Sequence, residues 1–144
     1  MIEADPERIP ETALAWHRAG RGAAIATVVE TWGSAPRRTG SQLAIAADGE
    51  MTGSVSGGCV EGAVVAEAQA ALASGESKVL TYGVSDDDAF AVGLACGGTI
   101  RVLVEPVGKG FPESVLEDLV NARAQRAAVA YVVNLTTWER NLAP

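Results

Sequence analysis

The sequence predicts an α/β fold, a single domain in which helices flank a mixed sheet of about five or six strands. Short apolar runs rich in β-branched residues alternate with stretches that have the apolar spacing or the capping residues of helices, and turn residues separate them. The length of 144 residues suits one domain, and a hydrophobic content of 48% is ordinary for a chain that buries its own core. We therefore expect residues 1–144 to fold as one unit.

Three helices are predicted from capping residues, apolar spacing and stop signals. The first starts at Asp5-Pro6, because Asp is a favoured N-cap and Pro suits the first helical position, and it ends near Gly20. The second covers residues 60–73 and is stopped by Gly75, a residue type common just beyond a helix C-terminus. The third covers residues 112–124.

Six strands are predicted where short apolar runs lie between turn signals. The run at residues 23–31 is largely apolar, which is typical of a buried strand. Asp48-Gly49 is a hairpin signal between two further strands. The other predicted strands cover residues 42–47, 50–55, 78–82, 99–105 and 127–135, while residues 136–144 show no clear pattern.

Charge and hydropathy argue against several classes of partner. A net charge of −7 disfavours nucleic acid and anionic membranes, since both are bound through basic surfaces. No apolar run approaches the ~18–20 residues of a membrane-spanning helix, and residues 1–5 lack the basic and apolar regions of a signal peptide. We therefore expect a cytoplasmic protein whose two cysteines are reduced thiols.

The stretch from Gly53 to Glu61 carries the strongest functional signal. It joins a predicted strand to a predicted helix and reads Gly-Ser-Val-Ser-Gly-Gly-Cys-Val-Glu. Glycines let a ligand approach the main chain and a helix N-terminus supplies unpaired N–H groups, so this turn suits an anion. The position of Cys59 at that helix start favours a reactive thiolate. Glu61 in the first helical turn suits a structural role or a ligand role equally.

Two further segments carry related chemistry. Residues 32–40 are a predicted loop in which Arg37 and Arg38 could grip a phosphate through bidentate hydrogen bonds. Cys96 precedes a Gly-Gly pair, just as Cys59 follows one. Arginines, hydroxyls, backbone amides and thiols together suit a phosphorylated ligand that also carries a soft metal or an electrophilic sulfur.

Other sites match these residues poorly. The glycines do not have the G-x-G-x-x-G spacing of a dinucleotide fold, no Gly-Lys-Ser/Thr follows them, and the serines form no G-x-S-x-G elbow. Two alternatives stay open beside a cofactor-binding role. One is a thiol-dependent oxidoreductase or sulfurtransferase that uses Cys59 and Cys96 as a redox pair, although they form no C-x-x-C motif. The other is a nucleotide- or phosphate-binding regulatory module with structural cysteines.

Three blocks together resemble the N-terminal domain of the XdhC/CoxI family, in its order and spacing, over residues 6–107: residues 33–40, 53–61 and 93–98. The resemblance implies a maturation factor for molybdenum hydroxylases of the xanthine dehydrogenase or carbon monoxide dehydrogenase type. Such a factor binds molybdenum cofactor, a phosphorylated pterin dithiolene, and protects it while a cysteine desulfurase-type sulfurtransferase provides the sulfido ligand. It then delivers the cofactor to the hydroxylase apoenzyme, and is a chaperone more than a catalyst.

The resemblance also implies roles for individual residues. Cys59 becomes a candidate molybdenum ligand, with Cys96 as a second thiol. Many family members continue into a Rossmann-like domain, so a separate partner of that type is expected, and the two thiol sites meet either within one chain or across a homodimer. The candidate cofactor-binding residues are Ser34, Arg37, Arg38, Ser56, Gly57, Gly58, Cys59, Glu61, Cys96, Gly97 and Gly98. Residues 108–144 would complete the domain.

Overall fold

The computed structural model describes residues 8–32, 38–56, 60–83 and 98–144. Its helices and strands confirm the predicted α/β class. Among the helices in these ranges, none combines the length and the hydropathy that a membrane-spanning helix requires. The helices are α1 (Ile9–Arg18), α2 (Glu61–Ser74) and α3 (Glu113–Ala124). The strands are β1 (Ala23–Trp32), β2 (Gln42–Ala46), β3 (Met51–Gly53), β4 (Lys78–Gly83), β5 (Thr99–Pro106), β6 (Ala130–Val133) and β7 (Arg140–Ala143).

The five-stranded sheet has the order β3-β2-β1-β5-β4, and β6 and β7 form a separate two-stranded sheet. The five strands of the main sheet agree with the predicted five or six. The predicted mixture of directions is not confirmed, because every pair among the described strands is antiparallel. The reason lies in the connections. Strands that follow one another directly pair as antiparallel neighbours, whereas α2 carries the chain from one edge of the sheet to the other, between two strands that do not pair.

Helices cover both faces of the sheet because the central strands are apolar on both sides. Along β1, Ala24, Ala26 and Val28 join a core cluster with α2, while Ala23 and Ile25 join a second cluster with α1 and α3. Successive side chains of a strand point to opposite faces, so a continuously apolar strand needs a cover on each side. The sheet is therefore the middle of three layers.

The structure corrects the sequence prediction at both ends of the chain. Helix α1 begins at Ile9 with Arg8 as its N-cap, and Pro10 occupies its first turn, whereas the predicted cap at Asp5-Pro6 lies outside the described residues. The last predicted strand is shorter than expected and pairs with β7, which the sequence pattern did not reveal. In the turn between them the Asn134 side chain accepts hydrogen bonds from two backbone amides, so a local polar residue sets this hairpin.

Candidate functional site

The strands that precede three of the chain connections, β1, β3 and β4, run in the same direction along the five-stranded sheet. Thr99, the first residue of β5, lies opposite both Trp32 at the end of β1 and Gly83 at the end of β4. Gly53 closes β3 with the chain running in the same direction, but it pairs with Leu43 and so lies level with Ala26, six residues before Trp32 along β1. The connections that follow these strands are residues 33–41, 54–60 and 84–98. The chain therefore leaves β1, β3 and β4 in the same direction along the sheet, with the start of the second sequence block set back from the other two.

Gly53 marks the point where the central block leaves the sheet. Its φ angle is +100°, in the region that favours glycine, and a Cβ atom there would lie 2.3 Å from the backbone oxygen of Gln42. The amide of Ser54 still donates to that same oxygen, at 3.1 Å. Any larger residue would have to displace the edge of the sheet, so the start of this block is fixed by the backbone.

The carboxylate of Glu61 organises the residues that follow. Its Oε2 atom accepts hydrogen bonds of 3.0 Å from the Ser54 hydroxyl and from the backbone amides of Val55 and Ser56. Its Oε1 atom accepts a hydrogen bond from the Ser56 hydroxyl, whose oxygen in turn accepts one from the Val60 amide at 2.8 Å. The first turn of α2 therefore holds the preceding loop by side-chain acceptors, much as a capping box does.

Apolar anchors on either side reinforce this polar arrangement. Val55 is completely buried and Val60 is 2% exposed, and both belong to the core cluster beneath α2. Ser56 is completely buried as well. The residues that flank Gly57-Gly58-Cys59 in the sequence are consequently fixed by core packing and by hydrogen bonds to Glu61.

The hydrogen bonds also settle the charge of Glu61. Burial by itself would raise the pKa of this carboxyl, but the four donors from Ser54, Val55 and Ser56 outweigh it and lower the pKa from 4.5 to about 2. Glu61 is therefore ionised at neutral pH, and the acceptor contacts described above direct it into the loop.

Of the predicted site residues, four lie in the described part of the chain. Ser56 and Glu61 are buried, Gly98 is buried directly before β5, and Arg38 is exposed, with its carbonyl accepting from the Ser41 amide. The other seven lie outside the described residues, so their roles stay predictions: Ser34, Arg37, Gly57, Gly58, Cys59, Cys96 and Gly97.

Sequence reasoning missed the supporting role of Ser54 and Gly53. A usable signal exists, since serines precede a glutamate in the first turn of a helix, where an acidic side chain commonly accepts from backbone amides before the helix. Within residues 8–32, 38–56, 60–83 and 98–144, no three His, Cys, Asp or Glu side chains cluster as metal ligands. What the described residues supply is a rigid frame for the glycine–cysteine segment.

The family comparison agrees with the sequence blocks and with this frame. Residues 16–83, which include β1 to β4 and α2, match the XdhC and CoxI family. This region is an XdhC and CoxI family domain. The matched range contains the first two blocks, including the Glu61 hydrogen bonds, and ends where β4 leads into the third.

Curated relatives carry names from molybdenum enzymology. The chain is 36% identical over 110 residues to the molybdenum cofactor insertion chaperone PaoD of Escherichia coli, a match that covers 76% of this chain and 33% of that protein. It is 33% identical over 87 residues to a probable xanthine dehydrogenase subunit of Bacillus subtilis, covering 59% of this chain and 26% of the relative. The chain thus spans about a third or less of these relatives.

A solved structure shares the fold. The crystal structure of a xanthine dehydrogenase from Bacillus halodurans superposes with a TM-score of 0.72 at 27% sequence identity, over 91% of this chain and 39% of that one. The match covers nearly all of this chain, so the three-layer arrangement is common to both proteins.

Proposed function

We propose that this chain binds molybdenum cofactor and helps to insert it into a molybdenum hydroxylase of the xanthine dehydrogenase type. The observation that carries the proposal is the arrangement of the residues that flank Gly57-Gly58-Cys59 in the sequence. Glu61 holds Ser54, Val55 and Ser56 by hydrogen bonds, and Val55 and Val60 are buried, within the region that matches the family. The name of PaoD, a cofactor insertion chaperone, supports the assignment of the cargo.

The residues divide into those that would touch the cofactor and those that position them. Cys59 is the proposed soft ligand for molybdenum, and Arg37 and Arg38 are the proposed partners of the phosphate. Glu61 is proposed as a positioning residue, because its carboxylate is ionised, satisfied by the loop and would repel a phosphate. The wider ligand set consists of Ser34, Ser56, the Gly57-Gly58 amides, Cys96, Gly97 and Gly98.

The finer steps belong to the same proposal. Cofactor sulfuration by a cysteine desulfurase-type sulfurtransferase, delivery to the hydroxylase apoenzyme and a cytoplasmic setting follow from the chaperone role. As the family resemblance implies, we also propose that a Rossmann-type domain or a second copy of this chain takes part in the transfer. In this scheme residues 1–144 form one domain that holds the cofactor without turning it over.

The test is the metal and pterin content of the protein. The chain is expressed anaerobically in a host that makes molybdenum cofactor, and molybdenum is measured by mass spectrometry and pterin by fluorescence after oxidation. We expect near-equal molybdenum and pterin in the parent protein and a loss of most of both in Cys59→Ser, because the serine hydroxyl is a poor ligand for a soft metal site.

The same substitution at the second thiol is the matched control. Cys96→Ser should retain more molybdenum than Cys59→Ser, since the thiol next to the fixed loop is the proposed metal ligand. A well-folded Cys59→Ser variant with full molybdenum content would contradict the role of that thiol. A well-folded parent protein that holds neither molybdenum nor pterin, alone or with a co-expressed Rossmann-type partner, would contradict the proposed function.

A further inference from the structure

A cavity of about 400 Å³ lies beside the start of β4 and the end of β5, away from the paired residues Gly83 and Thr99. It forms where the turn before β4, the turn after β5 and the β6–β7 hairpin meet. Its walls combine cationic, hydroxyl and aromatic side chains with two glycines: Gly75, Ser77, Lys109, Gly110, Trp138 and Arg140. Five residue steps along β4, or about 17 Å, separate the start of this strand at the cavity from Gly83, where the connection to the third sequence block begins.

Arg140 is the fixed element of this cavity. Its side chain is only 8% exposed, and its three hydrogen bonds go to Glu105 at 2.9 Å, to the Ser77 hydroxyl at 2.8 Å and to the Trp138 carbonyl at 2.8 Å. A guanidinium has five N–H donors, so two remain available. Because Ser77 accepts from Arg140 through its oxygen, its own proton is available to donate towards the cavity.

Two residues add charge and an aromatic surface. The exposed Lys109 makes no hydrogen bond or ion pair with any other described residue, so its ammonium group can turn to a ligand. Trp138 has a φ angle of +62°, which is unusual for a bulky residue, and its ring lies 5.5 Å from the Arg140 guanidinium carbon. The hairpin thus accepts an unfavourable backbone conformation at the residue that places an indole beside this arginine.

The backbone and one opposing charge define the rest of the cavity. A Cβ atom on Gly110 would lie 2.5 Å from the Ser77 hydroxyl oxygen, so glycine keeps that hydroxyl accessible. Glu76 also lines the cavity, but it is exposed and its carboxylate can turn to solvent. The groups that face the cavity are therefore mainly donors and cations, in a protein with a net charge of −7.

We propose that this cavity is a second anion site, distinct from the proposed cofactor site, which binds the phosphate group of a small aromatic metabolite such as a nucleoside monophosphate. Lys109, Ser77 and Arg140 would bind the phosphate by charge-assisted hydrogen bonds, and Trp138 would contact the aromatic ring. The proposal does not depend on molybdenum chemistry, and its test uses the protein without cofactor.

The experiment is a nuclear magnetic resonance titration of the full chain with AMP, with inorganic phosphate and with adenosine. We expect AMP to produce saturable shifts at Ser77, Lys109, Gly110 and the Trp138 indole, with weaker binding of phosphate. Lys109→Ala should weaken AMP binding by about tenfold or more, the loss expected for one charge-assisted hydrogen bond. Lys78→Ala is the matched control, because Lys78 lies one residue from Ser77 but pairs with Glu67.

Each alternative result has a clear meaning. Absence of saturable shifts with both AMP and phosphate would overturn the site, as would shifts that persist unchanged in Lys109→Ala. Equal affinities for phosphate and AMP, with no effect of Trp138→Ala on AMP binding, would overturn the role given to the aromatic ring. Neither result bears on molybdenum retention, so failure here leaves the proposed function standing.

Discussion

Two buried glutamates, one at each end of the sheet, show how the same side chain serves opposite purposes. Glu61 is 5% exposed and Glu105 is 1% exposed. The hydrogen bonds described for Glu61 come from residues five to seven positions earlier in the chain. Glu105 instead accepts from Tyr131 at 2.6 Å and from Arg140 at 2.9 Å, which follow it by 26 and 35 residues. The first glutamate fixes a loop, and the second attaches a distant hairpin to the sheet.

The pKa values of the two carboxyls diverge for a physical reason. At Glu61 two backbone amides and two hydroxyls outweigh burial and lower the pKa to about 2. At Glu105 burial is the larger effect and raises the pKa, although hydrogen bonds from Tyr131 and Arg140 oppose it. The comparison teaches that a buried carboxylate stays ionised easily where its hydrogen-bond donors outweigh the cost of its burial, as at Glu61, and less easily where burial is the larger effect, as at Glu105.

The largest expected effect on the free energy of unfolding comes from removing the carboxylate of Glu105. Glu105→Ala leaves the buried guanidinium of Arg140 without its counter-charge, and we expect a loss of about 3–5 kcal/mol in the free energy of unfolding. Urea denaturation measures this loss. Hydrogen exchange should show that residues 130–143 lose protection first, because Glu105 holds that hairpin.

Glu76→Ala is the matched control, because this glutamate lies at the same end of the molecule and is exposed. It should change the free energy of unfolding by less than about 0.5 kcal/mol. A Glu105→Ala protein as stable as this control would mean that the ion pair does not hold the hairpin.

A smaller loss in the free energy of unfolding is expected when the carboxylate of Glu61 is replaced, and this loss should depend on pH. A pKa lowered from 4.5 to about 2 corresponds to about 3 kcal/mol of stability at neutral pH, so Glu61→Gln should lose up to that amount. A lowered pKa gives stability that is present above the unfolded value and lost on acidification. The difference between parent and variant should therefore shrink as the pH falls from about 4.5 towards 2.

The contribution of Glu105 to the free energy of unfolding changes with pH in the opposite direction. Because its folded pKa is raised, its pH-dependent contribution is present below the unfolded value and is lost as the pH rises through the folded one. Urea denaturation of the parent, Glu61→Gln and Glu105→Ala proteins between pH 7 and pH 3 separates the contributions of the two carboxyls to the free energy of unfolding. A stability difference for Glu61→Gln that stays constant over this range would show that its carboxylate does not have the lowered pKa.

The two regions also differ in how far the sequence predicts them. The central strand, the hairpin at Asp48-Gly49 and helix α2 follow from local patterns, and the structure has all of them. The strand directions and β7 cannot be predicted from local patterns, because they depend on which strands meet after α2 crosses the sheet. The Glu105–Arg140 pair joins residues 35 positions apart, and no local pattern indicates that contact.

At the site, the sequence indicates the block but not its internal support. The run from Gly53 to Glu61 stands out because glycines, serines and a cysteine meet at a helix start, and the family match includes it. The sequence left Glu61 equally suited to a ligand role or a structural one. Only the structure shows its carboxylate accepting from Ser54, Val55 and Ser56, which favours positioning.

The most direct test is the molybdenum content of Glu61→Gln, measured per folded chain beside Glu67→Gln, an exposed-face substitution on the same helix. If Glu61 holds the glycine–cysteine segment for the cofactor, Glu61→Gln should remain folded at neutral pH and lose most of its molybdenum and pterin, while Glu67→Gln retains both. A folded Glu61→Gln protein with the full molybdenum content of the parent would contradict the proposed link between this loop and cofactor binding.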